Sequence, residues 1–345
     1  MLFADSHRHS PGVVGIGDVQ GGYGPDIDPG IICLSRFLLL SGHTKRMETL
    51  SRESVSAMFS VHRPYLVSLA YRMLGSMADA EDLAQETFLR WEQAAREEIH
   101  TPRAFLTTVL TRLAITHLQS ARVRREQYAG TWLPEPVVTT GTRDPVELSE
   151  SLTMAFLVPM ESLTPLERAV FLLQDVFDYS HAEIADIVGK TEGVCRQTLR
   201  RAKQAVKERR SRFEVRPSSA DRLTMQFVTA VQAGNLGDLK SLLHEDIVAY
   251  SDGGGRVRAA LNPISGKDRV ARFLVGIARK GGDGLQRQVA EINAQPGFLG
   301  FRHGKAQTAV VLDIEQDRIH AIYIVLDSAK FSVRLGALFG ESEVG

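Results

Sequence analysis

Acidic side chains recur at helical spacing between residues 79 and 91. Asp79, Asp82 and Glu86 form one stripe of that helix. The neighbouring stripe holds five apolar or small side chains that could be buried: Ala80, Leu83, Ala84, Thr87 and Trp91. Because carboxylates attract cations and repel phosphates, the acidic stripe suits a basic protein partner. A solvated helix face is the alternative interpretation of this pattern.

Residues 191–212 could bind nucleic acid, since they include eight basic side chains and two acidic ones. One side of the predicted helix is apolar and should be buried: Cys195, Leu199, Ala202 and Val206. The opposite side carries polar and cationic side chains: Arg196, Gln197, Arg200 and Lys203. Arginine can bond guanine and glutamine can bond adenine, while other cations neutralise phosphates. A solvated basic surface is the alternative.

Local signals place this helix in a helix-turn-helix. Thr164 with Glu167, and Ser180 with Glu183, are capping boxes that predict two helix starts. Gly189 predicts the end of the second of these helices, and Thr191 is then positioned to cap the basic helix. A short capped helix, a glycine turn and a second helix form the layout of a motif that enters the major groove.

A second candidate DNA element lies at residues 101–126. Its apolar positions predict a buried face, and four arginines lie on the displayed side: Arg112, Arg122, Arg124 and Arg125. Arginine near a helix end also complements the helix dipole, so this segment alone leaves both interpretations open.

Towards the C-terminus, acid and phenol side chains raise the possibility of an enzyme. The residue types available for general acid–base chemistry are Asp246, Tyr250, Asp313 and Tyr323. Their spacing defines no acid–base pair, and tyrosines on strands are more often packing residues. The sequence therefore favours a binding or regulatory module over a catalytic one.

Bulk composition excludes several classes of protein. The chain has 345 residues with 41 basic and 41 acidic side chains, enough for two or three domains with no overall charge. Cys33 and Cys195 are the only cysteines, so neither a disulfide framework nor a cysteine metal site is predicted. Residues 31–40 are too short to span a membrane, which needs about 20 apolar residues, and no signal peptide is evident. We expect a cytoplasmic protein with no membrane segment, metal or cofactor.

Composition and periodicity divide the chain into segments. We predict a disordered or non-native extension at 1–46 with Met1 or Met47 as the start, an all-α domain at 54–126, a proline-containing linker at 127–146, a second all-α domain at 147–212, an α+β domain at 218–335 and a tail at 336–345. In the α+β domain we predict helices at 223–231, 236–243 and 267–277, and strands at 247–251, 289–292, 307–313 and 319–325.

The order of these motifs resembles the extracytoplasmic-function (ECF) sigma factors over residues 54–212. The motifs that carry the resemblance are Tyr71-Arg72-Met73-Leu74-Gly75 leading into 79–91, Pro102-Arg103-Ala104-Phe105-Leu106, Leu163-Thr164-Pro165-Leu166-Glu167-Arg168 and the helix-turn-helix. Residues 128–136 and Asp252-Gly253-Gly254-Gly255-Arg256 resemble the subgroup with a fused SnoaL-like domain. The implied fold is two all-α domains, sigma regions 2 and 4, followed by an α+β SnoaL-like cone.

The resemblance implies that residues 79–91 dock on the β′ clamp helices of core RNA polymerase. It also implies that the β flap of the polymerase contacts this chain. The implied polymerase contacts are Asp79, Asp82, Leu83, Gln85, Glu86, Phe88 and Trp91. Promoter DNA would be contacted at the −10 element by Arg112, Thr116, Gln119, Arg122, Arg124 and Arg125. The −35 element would be read by Thr191, Glu192, Arg196, Gln197, Arg200, Arg201 and Lys203. Many relatives carry aspartate at the position of Thr116 and a basic residue at that of Gln119.

In this subgroup a glycine-rich loop and a short tail contact the sigma domains and the linker to control activity. The implied regulatory contacts are Trp132, Pro134, Glu135, Pro136, Asp252, Gly253, Gly254, Gly255, Arg256, Asp327, Lys330 and Phe331. The tail keeps an aspartate and a lysine but lacks the proline of the subgroup. We therefore expect a non-enzymatic alternative sigma factor. The alternative is a helix-turn-helix regulator whose C-terminal domain binds a small molecule or acts as an isomerase or cyclase.

Overall fold

The computed structural model describes residues 52–94, 99, 101–126, 130–139, 150–207, 217–281 and 284–331. The extension expected at 1–46 and the tail expected at 336–345 lie outside the described residues. No helix within the described ranges is long and apolar enough to cross a membrane.

Three helices form the first domain: α1 (Arg52–Leu74), α2 (Met77–Gln93) and α3 (Pro102–Glu126). Gly75, with φ of 68°, separates α1 from α2, and the Ser76 hydroxyl caps α2 by accepting from Asp79 N at 3.2 Å. The buried side of α2 contains Met77, Ala80, Ala84, Thr87 and Trp91. The predicted amphipathic helix is thus confirmed, except that Leu83 is only half-buried.

The second domain contains α4 (Met154–Met160), α5 (Pro165–Asp175), α6 (His181–Val188) and α7 (Glu192–Lys207). Both predicted capping boxes are present, at Thr164 and Ser180. Gly189 ends α6 with φ of 66°, and Val194 N donates to the Thr191 hydroxyl at 3.4 Å. The predicted apolar side of α7 is buried at all four positions. The helix-turn-helix layout is confirmed.

The two helical domains share one hydrophobic core. Arg168 on α5 is buried, and it donates from Nη1 to Met73 O in the first domain at 2.7 Å. The hydroxyls of Tyr65 and Tyr179 lie 2.9 Å apart and add a polar contact between the domains. In this conformation the two domains are therefore packed directly together.

The C-terminal domain places three helices on a mixed sheet. The helices are α8 (Pro217–Ala233), α9 (Leu236–Leu242) and α10 (Lys267–Gly281), and the strands are β1 (Leu243–Asp252), β2 (Ile264–Ser265), β3 (Gln286–Ile292), β4 (Gln295–Arg302), β5 (Lys305–Glu315) and β6 (Arg318–Val325). The strand order is β2-β1-β6-β5-β4-β3, with β1 and β6 parallel and the other pairs antiparallel. This is the α+β class expected from the sequence.

Strand β4 was not predicted, because Pro296, Gly297 and Gly300 interrupt its pattern. The glycines have a packing reason. A Cβ at Gly297 would lie 2.2 Å from Val310 O on β5, and one at Gly300 would lie 2.9 Å from the Leu285 side chain. The strand therefore needs residues that usually weaken strands.

Alternation along the strands gives the sheet two different faces. One packs on α8, α9 and α10 through residues such as Phe227, Leu274 and Leu312. The other includes Val311 and Tyr323 and is covered by Leu133 and Met154, which come from outside the domain. We call this second side the strap face, and we call residues 130–139 the strap.

Candidate polymerase, promoter and strap interfaces

Helix α2 presents part of its acidic stripe to solvent. Asp82 and Gln85 are exposed, whereas Asp79 lies 3.6 Å from His117 Nε2 and Glu86 pairs with Arg90 at 3.0 Å. The remaining predicted polymerase contacts are more enclosed: Leu83 and Phe88 are half-buried, and Trp91 is 1% exposed. Trp91 packs against Phe105 and so supports the helix from inside in this conformation.

The predicted −10 residues of α3 fall into three situations. Thr116 and Gln119 are exposed, while the side chains of Arg122, Arg124 and Arg125 lie outside the described residues. Arg112 is instead engaged within the chain. Its Nε donates to Ile187 O at 2.9 Å and its Nη2 to Asp186 O at 3.0 Å, at the C-terminal end of α6. A cation there satisfies free carbonyls and complements the helix dipole.

Helix α7 displays its predicted −35 residues on the surface. The exposed members are Thr191, Glu192, Arg196, Gln197, Arg200, Arg201 and Lys203. Arg196 pairs with Glu192 at 3.0 Å, and Lys203 pairs with Asp175 at 2.8 Å. Exposed ion pairs of this kind contribute little to stability.

The centre of the strap is held by two charged side chains of the C-terminal domain. Leu133 N donates to Asp252 Oδ2 at 2.7 Å, and Lys330 Nζ donates to Leu133 O at 2.6 Å. Lys330 also pairs with Asp252 Oδ2 at 2.6 Å and lies over the Trp132 ring at 4.4 Å. We call Asp252, Lys330 and Leu133 the clasp. Both backbone groups of one strap residue are thus bound, while its side chain is fully buried on the sheet.

Glu135 attaches the strap to the first domain. Its Oε2 accepts from Met77 N at 2.6 Å and its Oε1 from the Ser76 hydroxyl at 3.1 Å, at the N-terminus of α2. Burial raises the pKa of this carboxyl, and the hydrogen bonds from Met77 and Ser76 offset part of that effect. The Glu135 backbone is bound as well, because its N–H donates to Gly75 O at 2.8 Å. A negative charge is favourable at a helix N-terminus.

Asn293, in the turn between β3 and β4, was missed by the sequence reasoning. Its Oδ1 accepts from Val137 N at 2.9 Å, and its Nδ2 donates to the Tyr71 hydroxyl at 2.6 Å and to Leu152 O at 3.1 Å. One buried side chain therefore joins the strap, the first helical domain and the start of the second. Its φ of 52° is a conformation that asparagine tolerates.

The glycine-rich loop after β1 is packed against Asp327, which follows β6. A Cβ at Gly254 would lie 1.9 Å from Asp327 Oδ2, and one at Gly253 would lie 1.9 Å from Val257 O. Asp327 pairs with Arg256 at 2.6 Å. The glycines thus permit the loop to pass close to Val257 and to the Asp327 side chain, and Phe331 packs on the strap face.

The four residues considered for acid–base chemistry do not form one cluster. Asp246 is exposed, whereas the rings of Tyr250 and Tyr323 stack with centroids 5.3 Å apart on the strap face. Asp313 lies on the same side of the sheet and is 2% exposed. The structure therefore separates Asp246 from the other three.

Comparisons with known proteins match both helical domains and most of the chain. Residues 58–124 match the family model of Sigma-70 region 2, and residues 154–206 match that of Sigma-70 region 4. The chain is 36% identical over 289 residues to the ECF RNA polymerase sigma factor SigJ of Mycobacterium tuberculosis, covering 79% of this chain and 92% of that protein. It is 31% identical over 279 residues to the probable ECF RNA polymerase sigma factor SigI of the same species, covering 79% and 93%.

The crystal structure of Mycobacterium tuberculosis SigJ matches with a TM-score of 0.65 and 32% identity, covering 80% of this chain and 97% of that one. The chain belongs to the ECF RNA polymerase sigma factors, alternative sigma factors that direct transcription initiation. The fold class expected from the sequence, two all-α domains followed by an α+β domain, is confirmed. Family membership indicates a non-enzymatic role.

Proposed function

We propose that the chain binds core RNA polymerase through α2 and reads the −10 and −35 promoter elements with α3 and α7. We further propose that its C-terminal domain controls this activity by holding the helical domains in a closed state. The observation that carries this control is the clasp, in which Asp252 and Lys330 bind both backbone groups of Leu133.

Distance supports the assignment of this conformation as closed. Promoter elements at −10 and −35 are centred about 25 base pairs apart, which is about 85 Å at about 3.4 Å per base pair. Here Arg112 of α3 lies 2.9 Å from the helix that precedes α7. The two domains must separate before each can reach its element.

Charge and burial explain how the C-terminal domain opposes that separation. Asp252 is fully buried, and withdrawal of the strap would remove the hydrogen bond that Leu133 N donates to it and the one that Lys330 donates to Leu133 O. Glu135 and Asn293 connect the same strap to α1 and α2. Binding to polymerase would therefore select a minor open state, and weakening the clasp would increase that population.

Asp252→Ala tests this control. The closed state should weaken, so we expect tighter binding to core polymerase and more product in run-off transcription from a cognate promoter. Asp221→Ala, which removes an exposed carboxylate of α8, is the matched control and should match the parent. Unchanged or weaker polymerase binding by Asp252→Ala would contradict the control. Failure of the parent chain to bind core polymerase at all would instead remove the polymerase role.

A further inference from the structure

Asp313 is a buried acid that the polymerase, promoter and clasp contacts leave unused. It lies on β5, and its Oδ1 accepts from Gln295 Nε2 at 3.1 Å. Its Oδ2 is buried and has no hydrogen-bond partner among the described residues. Within the same ranges no lysine, arginine or histidine forms an ion pair with it. A buried carboxylate in this position is costly, because neither charge nor hydrogen bonding compensates its second oxygen.

The shielding of Asp313 depends on the docked helical domain. Met154, the first residue of α4, is fully buried on the strap face, and its N–H donates to Gln295 Oε1 at 2.7 Å. The side-chain N–H of Gln295 in turn donates a hydrogen bond to Asp313 Oδ1. Helix α4 also packs on β5, the strand that carries Asp313. Withdrawal of α4 would remove the cover and open the Gln295 side chain to water.

The groups that face Asp313 favour its neutral form. Burial raises the pKa of Asp313 to about 7; the nearby Glu315 carboxylate adds to the rise, and the Gln295 hydrogen bond offsets part of it. Tyr323 on β6 stays neutral because burial raises its pKa well above the usual range, and Tyr250 on β1 stacks on it. The strap and α4 contribute apolar side chains and an N–H, and β4 contributes the uncharged Gln295.

We propose that Asp313 is a proton switch for closure: docking of α4 and the strap retains a proton on Asp313, and its release at higher pH favours the open state. This inference rests on the proposed closed state, but its test needs no polymerase.

The direction in which closure depends on pH follows from the pKa of Asp313 in the two states. When α4 withdraws, water reaches Asp313 and its pKa falls towards the usual value of about 4. Between about pH 4 and pH 7 the closed state therefore holds a proton that the open state has lost. The closure constant falls by up to about tenfold per pH unit across that window and is constant outside it. Acid closes the protein, and neutral pH favours opening.

Asp313→Asn provides an isosteric side chain that cannot ionise. The experiment follows hydrogen exchange of the strap amides of Leu133 and Glu135 in the free full-length chain from pH 5.5 to 7.5, after correction for the intrinsic pH dependence of exchange. We expect the parent to lose about fifteenfold of its protection between pH 5.5 and 7.0, as the linkage gives for one proton. Asp313→Asn should lose much less protection, and the loss that remains should come from other groups buried on closure, such as Glu135.

Equal pH profiles in the two proteins would overturn the proton switch. They would point to another group that closure buries, such as Glu135 of the strap, whose pKa is also raised by burial. A second variant, Glu315→Gln, tests the proposal independently in case Asp313→Asn folds poorly. Glu315→Gln removes the like charge near Asp313, so the midpoint of the parent profile should move to lower pH; an unmoved midpoint also counts against the proposal. Polymerase binding by the parent chain is measured separately, so loss of the sigma role and loss of the switch remain distinguishable.

Discussion

The two faces of the C-terminal sheet are buried in different ways. The face under α8, α9 and α10 is apolar, with Phe227, Leu274 and Ile322 as members of one cluster. The strap face also has an apolar centre, but it includes the buried polar residues Asp252 and Asp313. Sequence-local helices cover the first face, whereas the second is covered by segments more than a hundred residues away in the chain.

We infer from this difference that the helix-covered face is a permanent contact and that the strap face is a reversible one. An apolar face cannot be exposed without the full cost of hydrating it. Polar groups that are bound in the closed state can instead be bound by water when the contact opens, which lowers the cost of separation. Polar contacts also define one docking position, since each donor must meet its acceptor. The strap face therefore has the composition of a contact that forms and breaks.

The largest expected effect is on the permanent face. Phe227→Ala removes a buried ring that packs near Phe298, with centroids 6.5 Å apart, and should lower the free energy of unfolding by about 3 to 5 kcal/mol. Urea unfolding followed by circular dichroism measures this loss. Met225→Ala, on the exposed side of the same helix, should have little effect. Equal losses for the two variants would remove the distinction between core and surface on α8.

On the reversible face, Leu133→Ala should open the closed state and leave the C-terminal fold intact. The buried leucine side chain is lost, so docking should weaken by about 3 kcal/mol, while the sheet and its helices keep their own core. Hydrogen exchange separates the two effects: strap amides should lose protection and β5 amides should not. Leu236→Ala, at an exposed site, is the control. Loss of protection on β5 would show that the strap is part of the permanent fold.

A smaller effect is expected where the helical domains meet away from the sheet. Arg112→Ala removes two hydrogen bonds to the end of α6 and should weaken closure by about 1 kcal/mol, since the side chain is partly exposed. Arg112→Lys keeps the charge but not the forked geometry and should fall between Ala and the parent. Competition binding to core polymerase measures the order. If Arg112→Ala bound core polymerase as the parent does, Arg112 would have no role in closure and would keep only its predicted −10 role.

Features set by neighbouring residues were predictable from the sequence. The starts of α5 and α6 follow from hydroxyl and glutamate three residues apart, and the buried side of α7 follows from its apolar spacing. The strand pattern failed at β4, where glycines are needed for close packing against β5 and Leu285. Local signals therefore locate the capped helix starts, but they miss the start of α8, predicted at 223 and observed at Pro217, and the contacts between strands.

The candidate sites were predictable only in part, because they depend on contacts between distant parts of the chain. Asn293 and Gln295 bind residues 141 or more positions away, so no local pattern marks them. Trp91 was assigned to the polymerase surface by resemblance, yet its apolar spacing places it in the core. The predicted promoter and polymerase contacts remain predictions.

We propose that the clasp keeps α3 and α7 close together in the free chain. Electron–electron distance measurement between spin labels at Ser120→Cys and Gln204→Cys tests it most directly. We predict a short, narrow distance in the free chain and a distance longer by tens of ångströms after Asp252→Ala or on binding core polymerase. Identical distance distributions in the parent, the Asp252→Ala variant and the polymerase complex would contradict the account.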